Sequence, residues 1–261
     1  MANAISKLLP HETILYFGDT AHLPYGDKSP TAIKHYAEKI AEFLISKGSK
    51  AIVIACNTAS SFAYDHLKDI YKDDLPILNV IDPVVEHAVA NERINDIGVI
   101  GTKGTIQSGI YSKKLQAQKD SLTVHAMATP LFAPMIEEGF INCEVSRTVI
   151  SEYLDNDKLK PIQSLILACT HYPIIRDEIA QYLHNEVEVY DTAGIVAQYA
   201  KQLLKDKGLL NKEDRSATHH FYVSDYTDFF EKTTKLFFKE AIHLELYPIW
   251  EIESTDPIET P

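Results

Sequence analysis

An α/β fold with parallel sheets covered on both faces is predicted by two features of the chain. Short β-rich apolar runs alternate with helix-length amphipathic segments, and one strand-ending device occurs twice. The apolar runs are TILYFG (13–18), AIVIAC (51–56), PILNVI (76–81), IGVIG (97–101), LTVHAMA (122–128), SLILAC (164–169), EVEVYD (186–191) and HHFYVS (219–224). Strands buried on both faces read as nearly continuous apolar stretches, and these do.

In chain order, TILYFG is the first strand and ends at Asp19, whose place before Thr20 reads as a turn or a helix cap. Helix-length segments follow at 30–47, 58–72 and 83–93, separated by the strands AIVIAC and PILNVI. A boundary falls near residue 93, because IGVIG then opens a second strand–helix series with helices at 105–119, 144–155 and 174–184. The glycines of IGVIGTKGT read as a tight strand-to-helix turn; the spacing is neither G-x-G-x-x-G nor a Walker A loop, so no cofactor is expected. After DTAG (191–194) comes a helix at 193–207, and HHFYVS could return to the first series. About eight strands suit two small sheets better than one. The expected division is 1–92 plus 194–261 for the first domain and 93–193 for the second. The polar tail IESTDPIETP (252–261) is expected to be mobile.

Composition excludes several classes. With 45% hydrophobic and 24% charged residues in 261, the chain can bury a core. A formal charge of −12 and the lack of a basic cluster disfavour a nucleic-acid partner. No apolar run of membrane-spanning length and no signal-peptide pattern is present, so a cytoplasmic protein without a membrane partner is expected. Three cysteines without framework spacing read as thiols.

The repeated device is AIVIACNTAS (51–60) and SLILACTHYP (164–173). A single cysteine after a buried strand is ordinarily an inert small hydrophobe. Two in matched frames, each followed by hydrogen-bonding residues, point to chemistry at Cys56 and Cys169; Cys143 has no such setting. In parallel sheets ligands bind at the carboxyl ends of strands, and the helix N-terminus expected there favours a thiolate and a bound carboxylate. A thiol phosphatase would need Arg six residues after its Cys, where this chain has Phe62 and Ile175. Zinc on Cys56, Cys169 and His171 lacks any C-x-x-C pair. Inversion of a carbon centre does call for a base on one face and an acid on the other, which two related domains would supply.

Together ILYFGDTAHLPYG (14–26), IACNTAS (54–60), IGVIGTKGT (97–105), PMIEEG (134–139) and LACTHYP (167–173) resemble the cofactor-independent glutamate racemase family, in order from residue 1 to about 200. The resemblance implies two pseudo-symmetric α/β domains, an active site in the interdomain cleft, glutamate as small-molecule substrate, D-glutamate made for peptidoglycan, and a homodimer. It implies Cys56 and Cys169 as the acid/base pair, with electrostatic help from Asp19 and His171 and an acidic neighbour at Glu137 or Glu138, of which Glu138 is taken as the catalytic candidate. Tyr25, Gly26, Asn57, Thr58, Thr170 and His171 would contact glutamate. By their residues alone, PYG is commonly only a turn and the EEG pair a solvated helix end.

The family pattern opens with a strand and glycine loop, I-G-V-F-D-S-G-x-G-G, whereas this chain opens at MANAISKLLP, which matches the end of the following helix. Its Asp-Ser pair would partner the first cysteine and touch substrate. A missing central strand is expected to leave its neighbours with unpaired backbone groups at about 1–3 kcal/mol each. A mis-assigned start or a truncated, inactive product would account for it. His22 stands where the family often has Arg. The rival readings are an aspartate- or hydantoin-type racemase, a one-cysteine decarboxylase of the same superfamily, and a non-catalytic remnant binding a dicarboxylate or a protein partner.

Overall fold

The computed structural model describes residues 1–72, 74–212, 217–226, 234 and 242–251; the tail expected to be mobile lies outside them. The elements are α1 (Ala2–Leu8), β1 (Leu15–Gly18), α2 (Pro30–Ser46), β2 (Ile52–Ile54), α3 (Asn57–Tyr71), β3 (Ile77–Asn79) and α4 (Asp82–Val89). They continue with β4 (Asp96–Gly101), α5 (Lys103–Ser108), α6 (Ile110–Gln118), β5 (Thr123–Ala128), α7 (Phe132–Glu137) and α8 (Glu144–Leu154). The last are β6 (Ser164–Ala168), α9 (Arg176–Tyr182), β7 (Glu188–Val189), α10 (Thr192–Asp206), β8 (His220–Val223) and β9 (Leu244–Leu246).

The fold is two α/β domains with parallel sheets flanked by helices. The second domain's sheet runs β5-β4-β6-β7, with β4 in register from Asp96↔Thr123 to Gly101↔Ala128 on one side and from Ile97↔Ser164 to Gly101↔Ala168 on the other. Ile97, Val99, Ile100, Leu165, Ile166 and Leu167 are fully buried, because helices cover both faces. One face packs on α4, α6 and α10 through Val84, Val85, Leu115 and Val196. The other packs on α7, α8 and α9 through Phe132, Ile136, Ile150 and Ile179. Burying one such side chain stabilises the fold by about 1.5–3 kcal/mol.

The first domain is built differently. Its strands form two separate parallel pieces, β1-β8-β9 and β2-β3, so β1 and β2 each lack a ladder partner on one edge among the described residues. β8 does return across the chain to pair with β1, Leu15 opposite His220.

Several elements differ from the sequence reading. The segment 105–119 is two helices, because Gly109 takes a left-handed conformation at φ 66° and caps α5. Segment 174–184 starts as a 3-10 turn over Tyr172–Ile175 before α9. α7 and β9 are too short to show a period in the sequence. The glycines of IGVIG serve close packing as much as a turn: a Cβ on Gly98 would lie 2.8 Å from Leu165 Cδ1, and one on Gly101 would lie 2.9 Å from the Ala168 carbonyl oxygen.

Candidate active site

Each matched cysteine closes a buried strand, yet the structure stabilises the two in different ways. Cys56 is the N-cap of α3, with its carbonyl accepting from Ser60 N–H at 2.8 Å. Ser60 Oγ in turn donates to Ile54 O at 2.9 Å, which ties the helix start to the strand end. Burial pushes the Cys56 thiol up, while the backbone amides of Ala59 and Thr58 pull it down; the charge of Cys169 also raises it.

Cys169 has no α-helix directly behind it. Its carbonyl accepts from Tyr172 N–H at 3.2 Å to open the 3-10 turn, and its sulfur lies 3.7 Å from His171 Nδ1. His171 Nε2 lies 3.0 Å from Glu137 Oε1. Burial alone would lower the His171 pKa, but hydrogen bonds and charge from Cys169 and Glu137 override it and raise it to about 10. The second cysteine therefore faces an imidazolium where the first faces helix amides, which corrects the expectation of the same helix-terminus device at both. The imidazolium is held in place by packing. Tyr172 is fully buried, donates its hydroxyl to Thr129 O at 2.9 Å, and sits edge-on to Phe132 of α7 at 5.3 Å. This fixes the helix carrying Glu137 against the turn carrying His171.

The remaining residues fall into place around the cleft. Glu137, not Glu138, lies beside His171, and Glu138 is exposed at the end of α7, which corrects the expectation of Glu138 as the acidic neighbour: the helix turns its side chain to solvent. Asn57 is buried and its Oδ1 accepts from Tyr111 Oη of the second domain at 2.7 Å. Thr58 Oγ1 lies 2.9 Å from Thr102 Oγ1 and 3.1 Å from Thr105 Oγ1, so three hydroxyls join the domains. Thr170 and Asn57 line one small recess with Met1, Val80, Pro173, Thr192 and Ala193. Tyr25 donates to Asp19 Oδ2 at 2.6 Å, and Gly26 lies against Thr102. Cys143 caps α8, within a reciprocal pair with Ser146. Among the described residues, no group of three or more His, Cys, Asp or Glu is placed to hold a metal ion, and no helix is long and apolar enough to cross a membrane.

Thr102, Thr105 and Tyr111 escape the sequence reading. The only signal for the first two is Thr102 three residues before Thr105, a capping pattern at α5, where Thr102 Oγ1 accepts from Thr105 N–H at 3.4 Å. This contact gives a measurable prediction. A Cβ on Gly104 would lie 2.9 Å from Gly26 O and 3.0 Å from Thr58 Cγ2, backbone and cross-domain packing that cannot yield cheaply. Ala in a helix is normally favoured over Gly by about 1 kcal/mol. We expect Gly104→Ala instead to lower the urea-unfolding free energy by about 1–3 kcal/mol, as overpacking does. An unchanged or higher midpoint would show that the two loops do not meet this closely.

Two facing α/β domains, each ending a buried strand in a thiol, define the class: an α/β protein whose cleft is walled by strand-end loops from both halves. Residues 1–200 match the family model described as Asp/Glu/Hydantoin racemase, and the chain belongs to that family. It is 40% identical to the glutamate racemase of Chlorobaculum tepidum over 91% of this chain and 87% of that one. It is 38% identical to the glutamate racemase of Geobacter metallireducens over 85% of this chain and 81% of that one. Among solved structures, the glutamate racemase of Francisella tularensis in complex with D-glutamate superposes with a TM-score of 0.87 at 36% identity, covering 95% of this chain and 92% of that chain. The Thermus thermophilus glutamate racemase in complex with β-chloro-D-alanine gives 0.86 at 35% identity, covering 96% and 93%.

Proposed function

We propose that this protein interconverts L- and D-glutamate by proton transfer between two thiols, without a cofactor, and so supplies D-glutamate for peptidoglycan. The observation that carries the reading is the pair Cys56 and Cys169, each just after a parallel strand of a different sheet, with Thr58 beside the first cysteine hydrogen-bonded across to Thr102 and Thr105 of the second domain. The names and structures of the similar proteins support glutamate as the substrate.

In one direction a thiolate takes the α-proton, breaking Cα–H and forming S–H, and the opposite thiol delivers its proton to the other face; the reverse direction exchanges the roles. No net oxidation occurs. Helix amides offset negative charge at Cys56 and the His171 imidazolium offsets it at Cys169. With its Oδ1 occupied by Tyr111, Asn57 presents its NH2 as a donor for a substrate carboxylate, beside Thr58, Thr170 and the Tyr25–Gly26 loop. The recess between Asn57 and Thr170 has a volume of about 10 Å³, room for no more than a water.

The division 1–92 plus 194–261 and 93–193 is supported by the sheets, since β4 to β7 all fall within the second range and β1, β2, β3, β8 and β9 outside it. Family resemblance supports a cytoplasmic homodimer, which light scattering on the purified protein would test.

The function is tested by incubating the protein with L-glutamate or L-aspartate in deuterium oxide and following the α-proton by NMR and inversion by circular dichroism. Glutamate should exchange and invert, with aspartate slower by about 10–200-fold, the usual discrimination for one methylene. Faster aspartate turnover would move the assignment to an aspartate racemase.

A further inference from the structure

We propose that Trp250 is a positioning residue for Cys56, acting through Asp19 and Tyr25; this rests on the racemase reading above. Asp19 is buried at the end of β1, and its carboxylate is surrounded by donors from three parts of the chain. Oδ1 accepts from Ser224 Oγ at 2.8 Å and from Trp250 Nε1 at 2.8 Å. Oδ2 accepts from Tyr25 Oη at 2.6 Å, and His22 Nδ1 stands 3.0 Å from it. A carboxylate has about four acceptor sites, so four such neighbours leave no capacity for a substrate or a thiol. Asp19 is thus an anchor, and what it anchors toward the cleft is Tyr25.

Tyr25 and Cys56 pack on the same small core of the first domain, with Ile33, Ala59 and Ala63. The thiol's charge adds to the burial and the Asp19 bond that hold the Tyr25 phenol protonated. Tyr25 is therefore a neighbour of Cys56 on that core, fixed by a charge-assisted bond rather than by contact alone.

The orientation of Asp19 is decided from far along the sequence. Ser224 follows β8 and also accepts from Ala21 N–H at 3.0 Å, while Thr20 Oγ1 donates to Asp225 O and accepts from Asp225 N–H at 2.9 Å. The Trp250 ring is held edge-on to His22 at 4.6 Å and to Tyr36 at 5.2 Å, with Lys39 Nζ 5.5 Å from its centre. With its plane set on several sides, the indole N–H has one direction in which to point. The segment after β9 thereby reaches Tyr25 through two hydrogen bonds, and Tyr25 shares its core with Cys56.

Trp250→Phe keeps a ring in the cluster and deletes the N–H. In alkylation by iodoacetamide followed by peptide mapping, Cys56 should label about threefold faster or more, while Cys169 keeps its rate. In deuterium oxide, inversion should fall about tenfold or more, since small misplacements of catalytic groups cost up to about 10²-fold. Exchange with retained configuration should persist only for the enantiomer whose proton Cys169 removes. A merely structural defect would scale exchange and inversion together for both enantiomers and change both labelling rates; that result, or no change at either thiol, overturns the proposal. A wild-type protein that exchanges neither enantiomer of glutamate would instead overturn the racemase reading, and the labelling comparison would still decide the link from Trp250 to Cys56.

Discussion

Replacing Cys56 or Cys169 by alanine should each reduce glutamate inversion by about 10²–10⁴-fold, the contribution typical of a positioned acid or base. Neither thiol can substitute for the other, because each would reach one face of the α-carbon from its own domain. The two variants should nevertheless differ in exchange. With Cys169→Ala, Cys56 remains, supported by the amides of Thr58 and Ala59, and can still remove and return the proton on its own face. With Cys56→Ala, Cys169 remains beside His171 and does the same on the opposite face. Each variant should therefore exchange the α-proton of one enantiomer with retention, and the favoured enantiomer should be opposite in the two. Full inversion by either single variant, measured by circular dichroism, would show that a two-thiol mechanism is wrong.

Substitution of His171 by asparagine should lower kcat by about 10²-fold, and Glu137→Gln should produce a smaller loss together with a change in pH dependence. The His171 pKa lies near 10 against 6.5 in its absence of partners, held up by Cys169 and Glu137 against the opposing effect of burial. A group whose folded pKa is raised stabilises the fold fully below its unfolded pKa. For His171 that contribution is present below pH 6.5 and disappears as the pH rises through about 10. Glu137→Gln removes one of the supporting charges, so the imidazole should lose its proton at lower pH. Urea unfolding across this range should show a shallower decline of stability for the variant than for the parent, and the alkaline limb of kcat/KM should move to lower pH. Identical limbs and slopes would mean that the 3.0 Å pair of His171 and Glu137 carries no charge in solution.

Much of the second domain is legible in the chain because its strands are buried on both faces and so appear as unbroken apolar runs: IGVIG and SLILAC mark β4 and β6 within a residue or two. The cysteines are legible for a related reason. A polar residue directly after a buried strand must sit at the strand's end, and two such endings in one chain are hard to ascribe to packing alone. Short elements are not legible, since α7 and β9 span too few residues to reveal a period, and a helix break such as Gly109 looks like any tolerated glycine until its φ is known.

By itself, the sequence determined the α/β class and placed Cys56 and Cys169 at the ends of two strands, with the loops that follow them. Only the tertiary structure decided which neighbour lies beside which cysteine. Glu137 rather than Glu138 faces His171, the hydroxyls of Thr102 and Thr105 meet Thr58 from the other domain, and Trp250 grips Asp19 from 231 residues away. The physical reason is that burial and local conformation are written in runs of adjacent residues, whereas a hydrogen bond depends on direction and on a few tenths of an ångström between groups that meet only after the chain has folded.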